Sequence, residues 1–358
     1  MFLMSCTCYV PLYVPRLRAH FSEGVSSGAR SVGKGTECGF RGELGRMAAA
    51  QTEEVHVKAL YIYPVKSCRG IQVPQAFITP TGFKWDRQWL VVNSQGRFQT
   101  QRQISKMALI EVTMPPEALD CNWGALPPDA ALCINAPGME PLYIPLVPRV
   151  PLKEIENVTV WGWTGPALSE GVDADRWFSE FLGKPLHFVR YNNATILTDP
   201  RYAEGYQISF TDGYPFLLIS QASLDALNEK LPVNLPINRF RPNIFVEGCK
   251  PFAEDTWATF TIGKSTFHGV KIRGRCKITT TDQRTAEVGT EPLQTLRTFR
   301  AGPLLASNIR NMRSDVFFGQ NVVCEDPGMT INGVLPAIHV NDVVKAKQII
   351  SIEELMST

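Results

Sequence analysis

Histidine is scarce in this sequence: five occur in 358 residues and none stands in an HExxH arrangement, so a histidine-based metal site has little support. No CxxC pair is present, which removes the ligand spacing of a zinc ribbon. The nine cysteines are odd in number and scattered, and they read better as reduced thiols of an intracellular protein than as a disulfide framework. A GxGxxG dinucleotide fingerprint is also missing, so any redox role needs an electron donor from outside the chain. The net charge of +2 is too even for broad nucleic-acid affinity, and no nucleic-acid partner is expected. An anionic ligand would therefore have to be held by a local basic site.

A chain of 358 residues is too long for one small core and predicts two domains or one large one. Residues 1–46 carry five Arg, one Lys and three Glu among Ser, Gly and Cys. Three readings stand for them: an organelle transit segment, a later start at Met47, or a plain disordered tail. They hold no apolar run near 18 residues, so no transmembrane anchor is read there.

From residue 56 onward the sequence is rich in short strands. "HVKALYIYPV", "QWLVVN", "MALIEVTM", "LCINA", "PLYIPL" and "NVTVWGW" are separated by Pro, Gly and Asn, as in an antiparallel barrel or sandwich. "DADRWFSEFLGKP" predicts a helix capped by Asp173, with Trp177, Phe178, Phe181 and Leu182 on one face and Gly183 and Pro185 as its stop. After "PLHFVRY", the polar stretch "NNATILTDPRYAEGYQ" marks a domain boundary. The second half offers a helix, "QASLDALNEKL", four strand candidates, "NIFVEG", "ATFTIG", "STFHGVKIRG" and "CKITTT", then a short helix, "PLQTLRTFR", and a strand, "FFGQNVVCE". The expected fold is mainly β with peripheral helices (α+β). Its expected divisions are a disordered or targeting segment (1–54), two domains (55–190 and 191–347) and a C-terminal tail (348–358).

Four stretches carry chemistry. In "VKIRGRCKITTTDQRT" a lone thiol, Cys276, sits between Arg275 and Lys277. Cations stabilise a thiolate, but on a regular strand both point away from Cys276, and they help only if the chain bends, as Gly274 permits. A buried, inert cysteine is the bland reading beside it. In "RFRPNIFVEG", Arg239, Arg241 and Asn243 would share one strand face, where two guanidiniums suit a phosphate; surface salt bridges are the alternative. "YPVKSCRG" supplies Lys66, Ser67 and Arg69, and "KWDRQW" places Arg87 between two tryptophans. A soft ligand beside a phosphate clamp fits a metal-bearing, phosphorylated cofactor better than a bare metal.

Taken in order, "YIYPVKSCRG", "WDRQWLVV", "FRPNIFVEG…FAEDTW", "GRCKITTTDQRT" and "PLQTLRTFR…FFGQNVV" resemble the MOSC-domain proteins of the mitochondrial amidoxime-reducing component type, from about residue 55 to about 345. The resemblance implies an N-terminal β-barrel domain followed by a MOSC β-barrel domain, with a molybdenum–molybdopterin cofactor between them. Cys276 matches the single protein ligand to molybdenum. Lys66, Ser67 and Arg87 match contacts to the pterin and its phosphate from the first domain, and Arg241 and Asn243 match contacts from the second. Arg275 is a further cofactor contact, and the resemblance extends to Asp212 and Gly213 in "FTDGYP". Enzymes of this kind reduce N-hydroxylated compounds (amidoximes, hydroxylamines), and some accept nitrite. Their electrons come from cytochrome b5 and its NADH-dependent reductase. A mitochondrial or cytosolic location follows. Two rivals share the pocket. One is a molybdenum-cofactor sulfurase role, which in that family relies on a preceding pyridoxal-phosphate domain. The other is non-catalytic cofactor binding.

Overall fold

Strands from opposite ends of the chain share one sheet. The computed structural model describes residues 54–120, 126–305, 315–330 and 334–357. The readings of residues 1–46 and of Met47 lie outside the described residues. Among those described, the largest sheet has eight strands. Their order is Ile71–Val73, His56–Ile62, Ile244–Glu247, Phe216–Ser220, Val316–Cys324, Ser265–Arg275, Trp257–Ile262 and Val344–Ile349. Neighbours are antiparallel except Phe216–Ser220 and Ile244–Glu247, which run parallel with Leu218 opposite Ile244. A parallel pair needs a crossover, and the helix Gln221–Asn228 lies within it, capped by Ser220, whose hydroxyl accepts from the Ser223 amide at 3.1 Å. Interleaving runs the other way too: Ala337–His339, late in the chain, pairs with Gln75–Thr79.

A second sheet of four strands (Trp89–Asn93, Leu186–Arg190, Trp163–Ser169, Glu154–Val160) and a three-stranded one (Glu111–Thr113, Ala131–Asn135, Leu142–Pro145) come from the first half. The mainly β expectation with helices outside the sheets holds. The helix Val172–Leu182 buries Trp177, Phe178, Phe181 and Leu182, and Phe178 stacks on Phe188 at 4.4 Å. Gly183 ends it in the left-handed conformation, φ 74°. Its N-cap is Gly171 rather than Asp173, because the helix begins two residues earlier than an Asp173 cap requires; Asp173 pairs with Arg176 instead.

Two strand expectations fail for local reasons. "CKITTT" is a 3-10 turn, Lys277–Thr280, since the hydroxyls of Thr279 and Thr280 bond back to the carbonyls of Cys276 and Lys277 at 3.0 and 2.8 Å. "MALIEVTM" starts as another such turn, Ser105–Leu109, before the strand Glu111–Thr113. At the other end, Ile352–Ser357 forms a helix whose Leu355 and Met356 are buried with Ile272 and Phe317.

The strand Ser265–Arg275 is irregular, with register shifts between Gly269 and Lys271 and between Ile272 and Gly274. Such shifts re-aim side chains near a strand end. Gly269 is required by proximity: a Cβ there would lie 2.2 Å from the Trp257 carbonyl oxygen and 2.0 Å from Gln320 Nε2. Gly269→Ala is expected to lower stability by about 1–3 kcal/mol, read as a fall in the urea midpoint.

Candidate functional site

The turn after the first strand is pinned by the Lys66 amide, which donates to the Trp89 carbonyl at 2.8 Å. It turns through Ser67 at φ 67°, while Arg87 and Arg241 sit at φ 49° and φ 57°. Left-handed backbone in a non-glycine residue costs on the order of 1–3 kcal/mol and persists only where the surroundings impose it. Three such residues line one cleft, together with Lys66, Asn243 and Arg275.

Arg87 and Arg241 share the Tyr63 ring, with each guanidinium carbon 4.3 Å from its centroid. The Tyr63 hydroxyl donates to the Pro242 carbonyl at 3.0 Å, and the Tyr63 amide to Asp86 at 2.8 Å. Arg87 is neutralised by the buried Asp86 and also donates to Asn243 Oδ1 at 3.1 Å. Asn243 in turn donates to the Tyr61 carbonyl at 3.2 Å, so its amide mainly positions Arg87. Arg241 is buried and, among the described residues, pairs with no carboxylate. Burial holds its guanidinium below the ordinary value, and Arg87 adds to the shift.

Arg239 does not join this pair. Ile237–Arg239 is a 3-10 turn and the strand begins only at Ile244, so Arg239 and Arg241 share no strand face. Pro242 supplies no amide proton to a strand ladder, and the side chain of Arg239 is directed to Asp282 at 2.9 Å.

Lys66 Nζ donates to the Phe210 carbonyl at 2.7 Å and pairs with Asp212. Arg273 donates to the Asp212 carbonyl at 2.9 Å and approaches its carboxylate at 3.4 Å. Burial works to raise the Asp212 carboxyl, but Lys66 and Arg273 together hold it well below the usual carboxylate range. Arg275 donates one Nη to the Phe240 carbonyl at 2.6 Å, while its Nε is buried without a partner among the described residues. Thr211 Oγ1 is likewise buried and unpartnered.

Two clefts abut along Thr211, Asp212 and Arg273. The narrow one, about 70 Å³, holds Lys66, Ser67, Arg87, Arg241, Asn243 and Arg275. The wider one, about 590 Å³, is walled by Trp161, Trp163, Ile196 and Ile208 and holds Gly213 and Cys276. Cys276 is exposed just past the end of its strand, so it is not the buried inert cysteine of the bland reading. That description suits Cys68, one residue after Ser67, whose thiol burial pushes up to about 12. Arg273, Thr211 and the two tryptophans had no place in the residue-by-residue reading. For Arg273 the signal existed: it stands two residues before Arg275, the spacing of one strand face.

Residues 54–185 match the MOSC N-terminal beta barrel domain and residues 205–345 match the MOSC domain. The chain is 32% identical over 255 residues to mitochondrial amidoxime reducing component 2 of Bos taurus, covering 68% of this chain and 72% of that one. It is 33% identical to mitochondrial amidoxime-reducing component 1 of Mus musculus, covering 76% of this chain and 78% of that one. Molybdenum cofactor sulfurase of Danio rerio is 31% identical over 68% of this chain, which spans only 30% of that protein. With two matched domains in collinear order and relatives above 30% identity over more than two thirds of both chains, the chain belongs to the MOSC-domain family that includes the mitochondrial amidoxime reducing components.

Proposed function

We propose that this chain is a molybdenum-cofactor-dependent reductase of N-hydroxylated compounds, with Cys276 as the metal's single protein ligand. One observation carries the reading: unsatisfied cationic and polar groups are buried together beside an exposed thiol. Among the described residues Arg241 lacks a carboxylate and Arg275 Nε lacks any partner. Buried polar atoms of this kind ordinarily have partners, so a phosphate-bearing organic group fits the cleft. Among the described residues no three His, Cys, Asp or Glu side chains gather as a metal site. Cys276 would therefore hold a metal only together with ligands from outside the chain, such as that organic group and solvent.

When bound, the cofactor supplies two electrons for cleaving an N–O bond. The chain's own residues bind and orient: Arg241, Arg275 and Ser67 would grip the phosphate and pterin, and Tyr63 and Asn243 keep the guanidiniums of Arg87 and Arg241 in place. The net reaction consumes two electrons and two protons, breaks the N–O bond and releases water. Electrons would come from cytochrome b5 and its NADH-dependent reductase, in mitochondria or cytosol. Among the described residues no helix is long and apolar enough to cross a membrane. Similarity to the Danio rerio sulfurase favours a second reading, sulfur handling on the cofactor, through the same cleft.

Benzamidoxime reduction with reconstituted cytochrome b5 and reductase separates the two, because only the first reading yields benzamidine. Arg241→Ala is expected to weaken cofactor retention about ten- to a hundredfold, since one charge-assisted phosphate contact contributes about 1.5–3 kcal/mol. The measurement is molybdenum per protein after gel filtration. Full molybdenum content in the variant would count against the clamp.

A further inference from the structure

We infer that the wider cleft is a subsite for the flat aromatic part of a neutral or anionic N-hydroxylated substrate, laid against Trp161, and that it rejects cationic ligands; this rests on the reductase reading above. Trp161 occupies the tip of a two-residue turn, flanked by the pair Val160 and Trp163, and holds φ 53°. A tryptophan is strained in that region, while the neighbouring Gly162 is not the residue placed there. The indole is half-exposed over the cleft. Its ring packs on Phe98 at 5.0 Å and carries the Arg102 guanidinium at 4.3 Å, and its Nε1 donates to Asp212 at 3.0 Å. Such a platform is rigid before any ligand arrives. A cleft of about 590 Å³ suits one aromatic ring with a polar head.

The polar end decides the charge of the ligand. Its one carboxylate, Asp212, is already shared by Lys66, Arg273 and the Trp161 indole. The wider cleft is lined by two cations, Arg102 and Arg273, against Asp212 alone, and Lys66 reaches the same carboxylate from the narrow cleft, so a positive surplus remains. The unpartnered Thr211 hydroxyl lies between the aromatic wall and the narrow cleft, where it can bond a neutral N–OH head. Reduction of an amidoxime turns that neutral head into an amidinium cation. The same charges that admit the substrate then disfavour the product.

Intrinsic tryptophan fluorescence of the full chain, titrated with benzamidoxime, benzoate and benzamidine, tests this without turnover. Benzamidoxime and benzoate are expected to give saturable quenching, with benzamidine, a cation at neutral pH, at least about tenfold weaker. Trp161→Ala should weaken benzamidoxime about tenfold, and Trp161→Phe, which keeps a ring, only about two- to threefold. Benzamidine binding as tight as benzamidoxime overturns the inference, as do equal losses in the two variants or no loss in either. The three-ligand comparison on the unaltered chain decides the charge question even if the alanine variant misfolds. A cofactor-loaded protein that binds these ligands as expected but reduces none of them would refute the reductase reading and leave the subsite standing.

Discussion

Cys276→Ala is expected to abolish benzamidoxime reduction by cofactor-loaded protein, by more than about a thousandfold, with almost no change in melting temperature. The asymmetry follows from position. The thiol is exposed just past a strand end and belongs to none of the core clusters, so its loss opens no cavity in them. Removing the proposed protein ligand would nevertheless leave the metal without a fixed place, which should cost more than the ten- to hundredfold typical of groups that only support a ligand. Partial cofactor retention through Arg241 and Arg275 is compatible with this result. Reduction at the parent rate would show that Cys276 is not the ligand.

The second large effect concerns stability. Arg300→Met is expected to lower unfolding free energy by about 3–5 kcal/mol, because it strands a buried carboxylate. Arg300 pairs with the fully buried Asp255, donates Nε to the Phe317 carbonyl at 3.1 Å and lies over the Phe252 ring at 4.4 Å. Burial lifts the Asp255 carboxyl from 3.8 to about 7 against the pull of Arg300, with Glu254 adding to the rise. A carboxyl raised on folding binds more protons folded than unfolded, so stability falls as pH rises from about 4 through about 7. Without Arg300 the carboxyl should rise further. Denaturant titrations at pH 5 and pH 8 should therefore find the variant's deficit larger at pH 8, and a smaller deficit there would contradict the buried pair.

These two residues show what the sequence could convey. "FAEDTW" and "PLQTLRTFR" belong to the same family resemblance as the cleft residues, yet Glu254, Asp255 and Arg300 form a buried polar web away from it. Glu254 accepts from the Ser220 amide at 3.0 Å and from the hydroxyls of Ser220 and Ser223, both at 2.9 Å. A charged residue in a motif looks the same whether it grips a ligand or closes a core. The helix Val172–Leu182 was legible because its apolar residues repeat at helical spacing, and the strands because theirs alternate. Arg239 and Arg241 misled because a spacing of two implies one face only on a strand, and a 3-10 turn intervenes. Trp161 was invisible as a site residue, since no local pattern says which way a hairpin tip leans. Lys66, Ser67, Arg87, Arg241, Asn243 and Arg275 do converge on one cleft. The burial of Asn243's amide in internal bonds, and the contact of Arg273 with Asp212, emerge only in three dimensions.

The shared eight-stranded sheet has a consequence for synthesis. His56–Ile62 leaves the ribosome early, but Ile244–Glu247, which hydrogen-bonds to it, follows long after. Until then its backbone donors and acceptors form an open flank ready to template onto another chain. Cutting between the two matched domains would leave that flank open permanently on both pieces, so each half alone is expected to aggregate.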